Sequence, residues 1–432
     1  MKRVQFPRLG EVCYETVLDN GLKIQVVPRP GYLKSYAFFA TSYGGMNVRF
    51  RKDGVWQETP AGVAHFLEHK MFDTKEGNAL QKLTANGASA NAFTAAAMTA
   101  YYFDCTERFE ENLRTLLSFV SQGYFTQESV DKEQGIIGQE IQMIEDDPTW
   151  RMYQNLQRAL YQNHPLRIPL AGSRESISHI TAKTLYQCHN AFYQPSNMAL
   201  CVIGDVEPER VAQTARLLLP EERQEVAEKD WGEAEPETPA EAECMEEMAV
   251  SSTNFMLGFK CPPHPEGEEN LRLELLGDLA GDLLIGESSP LYAKLYHQGL
   301  IDKGFFVSYD NSPKAAFLAM GGESKDPWTV RQAVLAEGER LSREGIDPAF
   351  FRRSKKAAYG SRVRSLNSMD HAGRMLAAWA LEGCHYYRFA DLYDTITLED
   401  VQAFLTRCVQ ERYAAMSVVK PKEGTEIGRA HV

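Results

Sequence analysis

The sequence predicts an α+β fold of two homologous domains, each a mainly antiparallel sheet with helices packed on one face. Two stretches of roughly 200 residues show the same order of strand-like and helix-like segments, which indicates an internal repeat. In each stretch the strands are grouped and long helices follow, which favours α+β domains over a doubly wound parallel sheet. A strongly acidic segment separates the two stretches.

The two domains, predicted at 1–220 and 249–426, both begin with strand-like segments and end in helical periodicity. The first has predicted strands at 22–27 and 35–41, a helix at 60–72, strands at 89–94 and 100–105, and a helical stretch at 111–145 that is interrupted near Gly123. The second has a predicted strand at 253–260, a helix at 271–285, strands at 304–309 and 316–320, and helices within 329–367.

The segment 221–248 holds twelve acidic residues and two basic ones, so it carries most of the net charge of −13. It also contains Pro236 and Pro239 and shows little apolar periodicity, which is typical of a solvated interdomain linker. An acidic binding segment is the less favoured interpretation.

Composition excludes several classes of protein. A hydrophobic content of 44% with 24% charged residues is that of a globular chain, and the negative net charge disfavours nucleic acid as a partner. No segment approaches about 18 uninterrupted apolar residues, so we expect neither a membrane span nor a secretion signal. Eight cysteines stand singly, without a Cys-x-x-Cys pair, which is typical of reduced thiols in a cytoplasmic protein.

The most informative motif is His65-Phe66-Leu67-Glu68-His69, on the predicted helix at 60–72. In a helix His65 and His69 lie one turn apart on one face, with Glu68 beside them. Two imidazoles at this spacing are typical zinc ligands, and a nearby carboxylate that does not bind the metal can act as a general base. The order His-x-x-Glu-His is that of the inverzincin peptidases. A helix that carries these residues by coincidence is the alternative.

A third ligand is expected on the helix that follows Lys132. Glu133 and Glu140 lie seven residues apart there, and hence on one face. Either could complete the metal site while the other orients a histidine from behind. Without the histidine motif, two solvated glutamates would be the better interpretation.

The phrases 61–72, 87–94 and 133–140 together resemble the pitrilysin/insulinase-like metallopeptidases, and the resemblance extends from about residue 18 to about residue 420. It implies that His65, His69 and Glu140 bind Zn²⁺. It also implies catalytic roles for Glu68 as general base and for Glu133 as an acid that supports a ligand.

The same resemblance implies how a peptide substrate binds. Asn91, Ala92 and Phe93 would belong to an edge strand to which an extended peptide adds as a further strand. A buried sheet member is about equally compatible with the sequence. The two domains together would form half of a clamshell-shaped chamber.

The second domain departs from the family pattern. It has no His-x-x-Glu-His, and if Gly138 is aligned with Gly360, Lys355 and Arg362 replace the two glutamates. Active relatives carry an arginine and a tyrosine here that hold the substrate carbonyl, whereas this chain has Tyr296 and Asp302. The expected oxyanion donors are therefore missing.

Three functions remain open. We favour a zinc metalloendopeptidase subunit whose related partner, in a heterodimer, supplies the arginine and tyrosine. The second is a peptidase that is complete alone or as a homodimer, with Tyr296 or His297 as donors. The third is a zinc-containing subunit that binds peptides or a partner without cleavage, which the retained Glu68 disfavours, because structural zinc needs no general base.

The last six residues, 427–432, match the translation of a stretch of short-read sequencing adapter. We expect them to be an artefact of sequencing.

Overall fold

A computed structural model describes residues 1–263 and 265–422 and confirms the α+β fold of two similar halves. The expected adapter residues, 427–432, lie outside the described residues. Within those residues no helix combines the length and apolar character needed to cross a bilayer.

The first half contains eleven strands and eight α-helices. The strands are β1 (Lys2–Phe6), β2 (Glu11–Val17), β3 (Lys23–Pro28), β4 (Ser35–Thr41), β5 (Arg49–Lys52), β6 (Val55–Glu58), β7 (Asp73–Thr74), β8 (Gly77–Asn78), β9 (Ala88–Thr94), β10 (Thr99–Cys105) and β11 (Met198–Gly204). The helices are α1 (Val63–Lys70), α2 (Ala79–Ala85), α3 (Phe109–Ser121), α4 (Gln127–Asp146), α5 (Pro148–Leu160), α6 (Arg174–Ser178), α7 (Ala182–Phe192) and α8 (Pro208–Leu218).

The rest of the described chain contains six strands and seven α-helices. The strands are β12 (Glu228–Lys229), β13 (Glu243–Met248), β14 (Asn254–Cys261), β15 (Phe306–Ser312), β16 (Ala315–Glu323) and β17 (Ala414–Pro421). The helices are α9 (Glu268–Ile285), α10 (Pro290–His297), α11 (Pro327–Glu344), α12 (Pro348–Ser365), α13 (Met369–Leu381), α14 (Phe389–Thr395) and α15 (Leu398–Cys408).

Each half is built on one large sheet that is antiparallel at all but one strand pair. The first sheet has the order β1-β2-β3-β11-β4-β10-β9, with only β3 and β11 parallel. The second has the order β13-β17-β14-β16-β15, with only β13 and β17 parallel. Among the described residues β9 pairs only with β10, so it forms an edge of the first sheet.

The internal repeat extends to local detail. The long helices α4 and α5 in the first half correspond to α12 and α13 in the second, and each pair is followed by a short 3₁₀ turn. The residue before that turn is a histidine in both halves. The Nδ1 atoms of His164 and His385 each accept a hydrogen bond from the backbone N–H two residues later, at 3.1 Å.

Each half contributes one helix that packs against the sheet of the other half, an arrangement called here the exchange of α5 and α13. Helix α13 packs against β4 and β11 of the first sheet, and α5 packs against β14 and β17 of the second. Side chains of β4 alternate accordingly: Ala37 and Phe39 lie in the core formed with the helices of their own half, and Phe38 and Ala40 lie in the core shared with α13. Gly373 allows this contact, because a Cβ there would collide with the ring of Phe38.

The acidic segment 221–248 lies against both halves, which differs from the solvated linker expected from its charge. Its residue Glu235 accepts hydrogen bonds from the backbone N–H groups of Gln162, Asn163 and His164 and pairs with Lys260 at 2.7 Å. Its strand β12 pairs with β5, and its strand β13 belongs to the second sheet. Fixed hydrogen-bond donors offset the charge repulsion that composition alone suggests.

Candidate metal centre

Helix α1 presents the histidine motif from a fixed position in the first core. It begins after Gly62, whose φ of 90° and contact with the Ala171 carbonyl oxygen leave no room for a Cβ. Phe66 and Leu67 are fully buried and anchor the helix. The opposite side of α1 therefore holds His65, Glu68 and His69 towards α4 and β9.

The structure brings His65, His69 and Glu140 together. Their ligand-type atoms all lie within 4.8 Å of one another. The Nε2 atoms of His65 and His69 lie 3.3 and 3.4 Å from the two carboxylate oxygens of Glu140. Tetrahedral zinc with bonds of about 2.0–2.1 Å separates neighbouring ligand atoms by about 3.3–3.4 Å, so these three residues fit a zinc ion.

Glu133 lies behind His69 and not among the converging atoms. Its Oε1 is 3.2 Å from His69 Nδ1. A carboxylate only accepts hydrogen bonds, so in the neutral ring Nδ1 carries the proton and Nε2 is the nitrogen that has a lone pair for a metal ion. The two glutamates, which the sequence left interchangeable, thus occupy different positions: Glu140 faces both Nε2 atoms and Glu133 lies behind His69.

The electrostatics of the cluster favour ionised glutamates. The hydrogen bond with His69 lowers the pKa of Glu133, with Lys70 adding to the effect, and the contact with His65 lowers the pKa of Glu140. Burial alone would lower the pKa of His69, but the nearby carboxylates raise it above its ordinary value. Excess negative charge of this kind attracts a cation.

Glu68 lies near His65, His69 and Glu140 but is not one of the three residues whose ligand-type atoms converge. Burial raises its pKa, and the hydroxyl of Thr94 donates a 2.6 Å hydrogen bond to its Oε2. Thr94 Oγ1 lies 3.3 Å from Thr99 Oγ1, which in turn donates to the Tyr43 carbonyl. The sequence analysis did not identify Thr94 as a site residue. Because side chains alternate along a strand, Thr94 lies on the same face of β9 as Ala92, and this alternation could have predicted that it points towards the site.

The strand residues Asn91, Ala92 and Phe93 lie on the edge strand β9, as the resemblance implied, but their side chains divide between two faces. Ala92 packs on the core beneath the metal centre. Phe93 lies on the opposite face, where the centre of its ring is 4.2 Å from Cζ of the Arg374 guanidinium. The side-chain oxygen Oδ1 of Asn91 accepts a 2.8 Å hydrogen bond from the backbone N–H of Ala92. Among the described residues no strand pairs with the outer edge of β9, so the backbone there could pair with an extended peptide.

The second half carries a charge-reversed counterpart of the centre. Helices α9 and α12 pack together as α1 and α4 do. Glu274 and Asp278 lie four residues apart on α9, as the two histidines do on α1. Arg362 of α12 contacts them at 2.9 and 2.6 Å. A guanidinium thus neutralises the two carboxylates, in agreement with the absence of a second zinc motif in the sequence.

Within the described parts of the chain, the residues that replace the expected arginine and tyrosine make only local contacts. Tyr296 is 40% exposed on α10, and the Asp302 carboxylate accepts a 2.9 Å hydrogen bond from the Gly304 N–H. Neither one has a described contact with the clustered residues of α1 and α4.

A second group of ligand-type residues, Cys13, Glu15 and His385, does not suit a metal. His385 Nδ1 accepts the hydrogen bond from Tyr387 N–H, so the neutral ring carries its proton on Nε2. That nitrogen faces Glu15 at 3.7 Å and has no lone pair to offer. Burial also raises the pKa of the Cys13 thiol, which disfavours the thiolate.

Comparison with known proteins finds two family models. The model described as Insulinase (Peptidase family M16) matches residues 52–174, which include every residue of the centre, and the model described as Peptidase M16 inactive domain matches residues 179–358. The Bacillus subtilis protein named Uncharacterized zinc protease YmfH is 36% identical over 96% of this chain and 97% of its own length.

Solved structures agree. A crystal structure described as an M16-like peptidase from Alicyclobacillus acidocaldarius has a TM-score of 0.91 and 33% identity, covering 95% of this chain and 99% of that one. The periplasmic protease PqqL from Escherichia coli, at 18% identity, shares the fold with a TM-score of 0.72. The match covers 98% of this chain but 48% of PqqL.

Proposed function

The chain belongs to the insulinase family of peptidases, peptidase family M16, and on that premise we propose that it is the zinc-bearing subunit of a metalloendopeptidase that cleaves extended peptides or small proteins. One observation carries the proposal. His65, His69 and Glu140 converge at separations that suit tetrahedral zinc, and a half-buried general-base candidate, Glu68, lies beside them.

We assign the ligands to His65, His69 and Glu140. Zinc bound there would supply Lewis acidity to a water molecule and to the scissile carbonyl. Glu133 holds the proton on Nδ1 of His69 and keeps Nε2 directed at the site.

Glu68 is the general base. Its carboxylate takes a proton from the attacking water and returns it to the leaving amine. Burial raises its pKa, which favours holding that proton between the two transfers, and Thr94 fixes the orientation of Oε2. A purely structural metal site would not need this arrangement, which supports catalysis over a binding role.

The edge strand β9 provides the peptide-binding site. An extended peptide adding to its backbone would lie along Asn91, Ala92 and Phe93, and Thr94 of the same strand contacts Glu68. Through Thr94, the proposed general base Glu68 is hydrogen bonded to the strand that would bind the substrate.

A related partner subunit completes the site. The donors expected to stabilise the negative charge on the carbonyl oxygen are replaced by Tyr296 and Asp302, which make only local contacts. The fold of this chain also makes up about half of the longer PqqL chain. Both observations support a heterodimer in which the partner supplies an arginine and a tyrosine, and a homodimer is the simpler alternative.

The test is hydrolysis of a mixed quenched-peptide library by the zinc-loaded chain, alone and with a related chain that carries the arginine and tyrosine. We expect cleavage only in the mixture, and its loss with Glu68→Gln although zinc remains bound. Cleavage by the chain alone would show that no partner is needed. If the wild-type chain binds zinc but cleaves nothing, either alone or in the mixture, the result would contradict the peptidase proposal and favour the non-catalytic binding role.

A further inference from the structure

The residue after the second histidine, Lys70, is a buried cation in contact with the metal centre. It is 4% exposed, although lysine is rarely buried unless it is paired. Its Nζ lies 2.5 Å from Asp73 Oδ2 and 3.1 Å from Glu133 Oε2. The hydroxyl of Ser129 donates to the same Asp73 oxygen at 2.7 Å, which fixes that carboxylate.

Lys70 and His69 divide the two oxygens of Glu133 between them. Lys70 donates to Oε2, and His69 Nδ1 lies 3.2 Å from Oε1. With one oxygen held by the lysine, the carboxylate cannot rotate away from the imidazole without losing a charged hydrogen bond. The orientation of Glu133, and through it the tautomer of His69, therefore depends on Lys70.

The other histidine has no comparable support. Among the described residues, His65 Nδ1 is buried and has no hydrogen-bond partner. The hydrogen-bonded support behind the ligand nitrogens is thus concentrated on His69. A change that loosens Glu133 should act on the whole centre.

We infer that Lys70 is a positioning residue that sets the metal affinity of the centre through Glu133 and His69. This inference rests on the proposed function, since it assumes that His69 binds zinc. Lys70 is not itself a catalytic residue, because its ammonium group is directed at Asp73 and Glu133 and is almost fully shielded from solvent.

The experiment measures zinc affinity by competition with a chromophoric chelator, without substrate. We expect Lys70→Met to weaken zinc binding by up to about 10-fold, at or below the lower end of the about 10- to 100-fold cost of removing a residue that hydrogen bonds to the ligand itself, because Lys70 acts one contact further out through Glu133. Lys70→Arg, which keeps the charge, should recover most of the affinity. Should Lys70→Met fail to fold, Lys70→Gln keeps a donor without the charge and is measured in its place.

The chain offers a matched control in Lys260. Its pair with Glu235 spans 2.7 Å, with side chains 5% and 15% exposed, against 5% and 14% for Lys70 and Glu133. Lys260→Met should reduce stability comparably and leave zinc affinity unchanged. An equal loss of affinity in both variants would show that Lys70 acts only through general stability and would overturn the inference.

A second readout separates this inference from the proposed function. In the metal-free protein, nitrogen-15 NMR recorded at a pH where the His69 ring is neutral reports which of its two nitrogens is protonated. We expect an Nδ1-protonated ring in the wild type and a mixture of tautomers in Lys70→Met. If the wild type binds no zinc, the proposed function fails while the NMR comparison still tests the link from Lys70 to His69. Unchanged tautomer and affinity would refute it.

Discussion

At the scale of single residues, the centre depends on hydrogen bonds that hold charged side chains in one orientation. The histidine ring at 69 is held by Glu133, and the carboxylate at 68 is held by Thr94. Both supporting residues come from elements other than α1. The chemistry of the motif is therefore shared between a helix and the structure packed around it.

Thr94→Val should lower kcat by about 10- to 100-fold, because a hydrogen bond to a charged group contributes about 1.5–3 kcal/mol. Zinc affinity should stay unchanged, since Thr94 contacts Glu68 and none of the proposed ligands. The comparison is kcat and KM of the proposed peptidase assembly for Thr94→Val and Thr94→Ser, with the serine variant close to wild type. A threonine that merely packs would give two similarly active variants.

At the scale of elements, α9 and α12 repeat the arrangement of α1 and α4 with charged groups of the opposite sign. Two residues four apart on one helix face a third residue on the next helix in both halves. In the second half the charges are reversed, and Arg362 lies between Glu274 and Asp278. The ion pairs maintain the helix contact that the proposed zinc ligands maintain in the first half.

Arg362→Met should lower the free energy of unfolding by about 2–3 kcal/mol, because it removes the cation that pairs with Glu274, which is 16% exposed, and with Asp278, which is 35% exposed and partly screened by solvent. Zinc affinity should be unaffected. Urea denaturation gives the first quantity, and Arg388→Met, which breaks exposed pairs with Glu268 and Asp391, is the control with an expected loss below about 1 kcal/mol. Equal losses in the two variants would argue against the buried ion-pair cluster.

The sequence predicted the helical part of the site because its pattern is local. Residues one or two turns apart on a helix share a face whatever surrounds them, so His65, His69 and the face of Glu133 and Glu140 could be recognised. The contact of Thr94 with Glu68 and the partners of Arg362 join distant segments and left no periodic signal. Strands β1, β2, β5, β6, β11 and β17 were also missed, because propensity alone is a weak guide to pairing.

At the scale of the whole molecule, Asp310 responds to pH where the two halves meet. Burial, with Asp278 nearby, raises its pKa to about 6, and Tyr153 of α5 in the other half hydrogen bonds to it. An unfolded aspartate titrates near about 3.9. The protonated form thus stabilises the folded chain at low pH, and this contribution is lost as the pH rises through about 6.

Asp310→Asn should therefore gain stability over wild type as the pH rises. The free energy of unfolding of the variant minus that of wild type should be about 1–3 kcal/mol larger at pH 7.5 than at pH 4.5. The asparagine keeps an oxygen for the Tyr153 hydroxyl and cannot ionise. Urea unfolding of both proteins at the two pH values measures the difference. A difference that does not change with pH would mean that Asp310 is already ionised in the folded protein at the lower pH.

The exchange of α5 and α13 predicts that the two halves unfold together. Each sheet has one face covered by a helix of the other half, so neither half keeps its core alone. Calorimetry should show one transition, and if zinc binds as proposed, its removal by a chelator should lower the midpoint by mass action without splitting the transition. Two separate transitions would contradict this expectation. The sequence predicted two domains joined by a solvated linker but not these contacts, because sequence composition does not reveal which helix covers which sheet.

The same exchange sets an order of events during synthesis. Strand β11 completes the first sheet at Gly204, but the helix that covers one of its faces begins at Met369. At about 5–20 residues per second, a ribosome needs on the order of 10 s to make the chain between them. Through that interval Phe38 and its neighbours on the second face lack their final cover, so the nascent chain presents an apolar surface suited to chaperones before its second half exists.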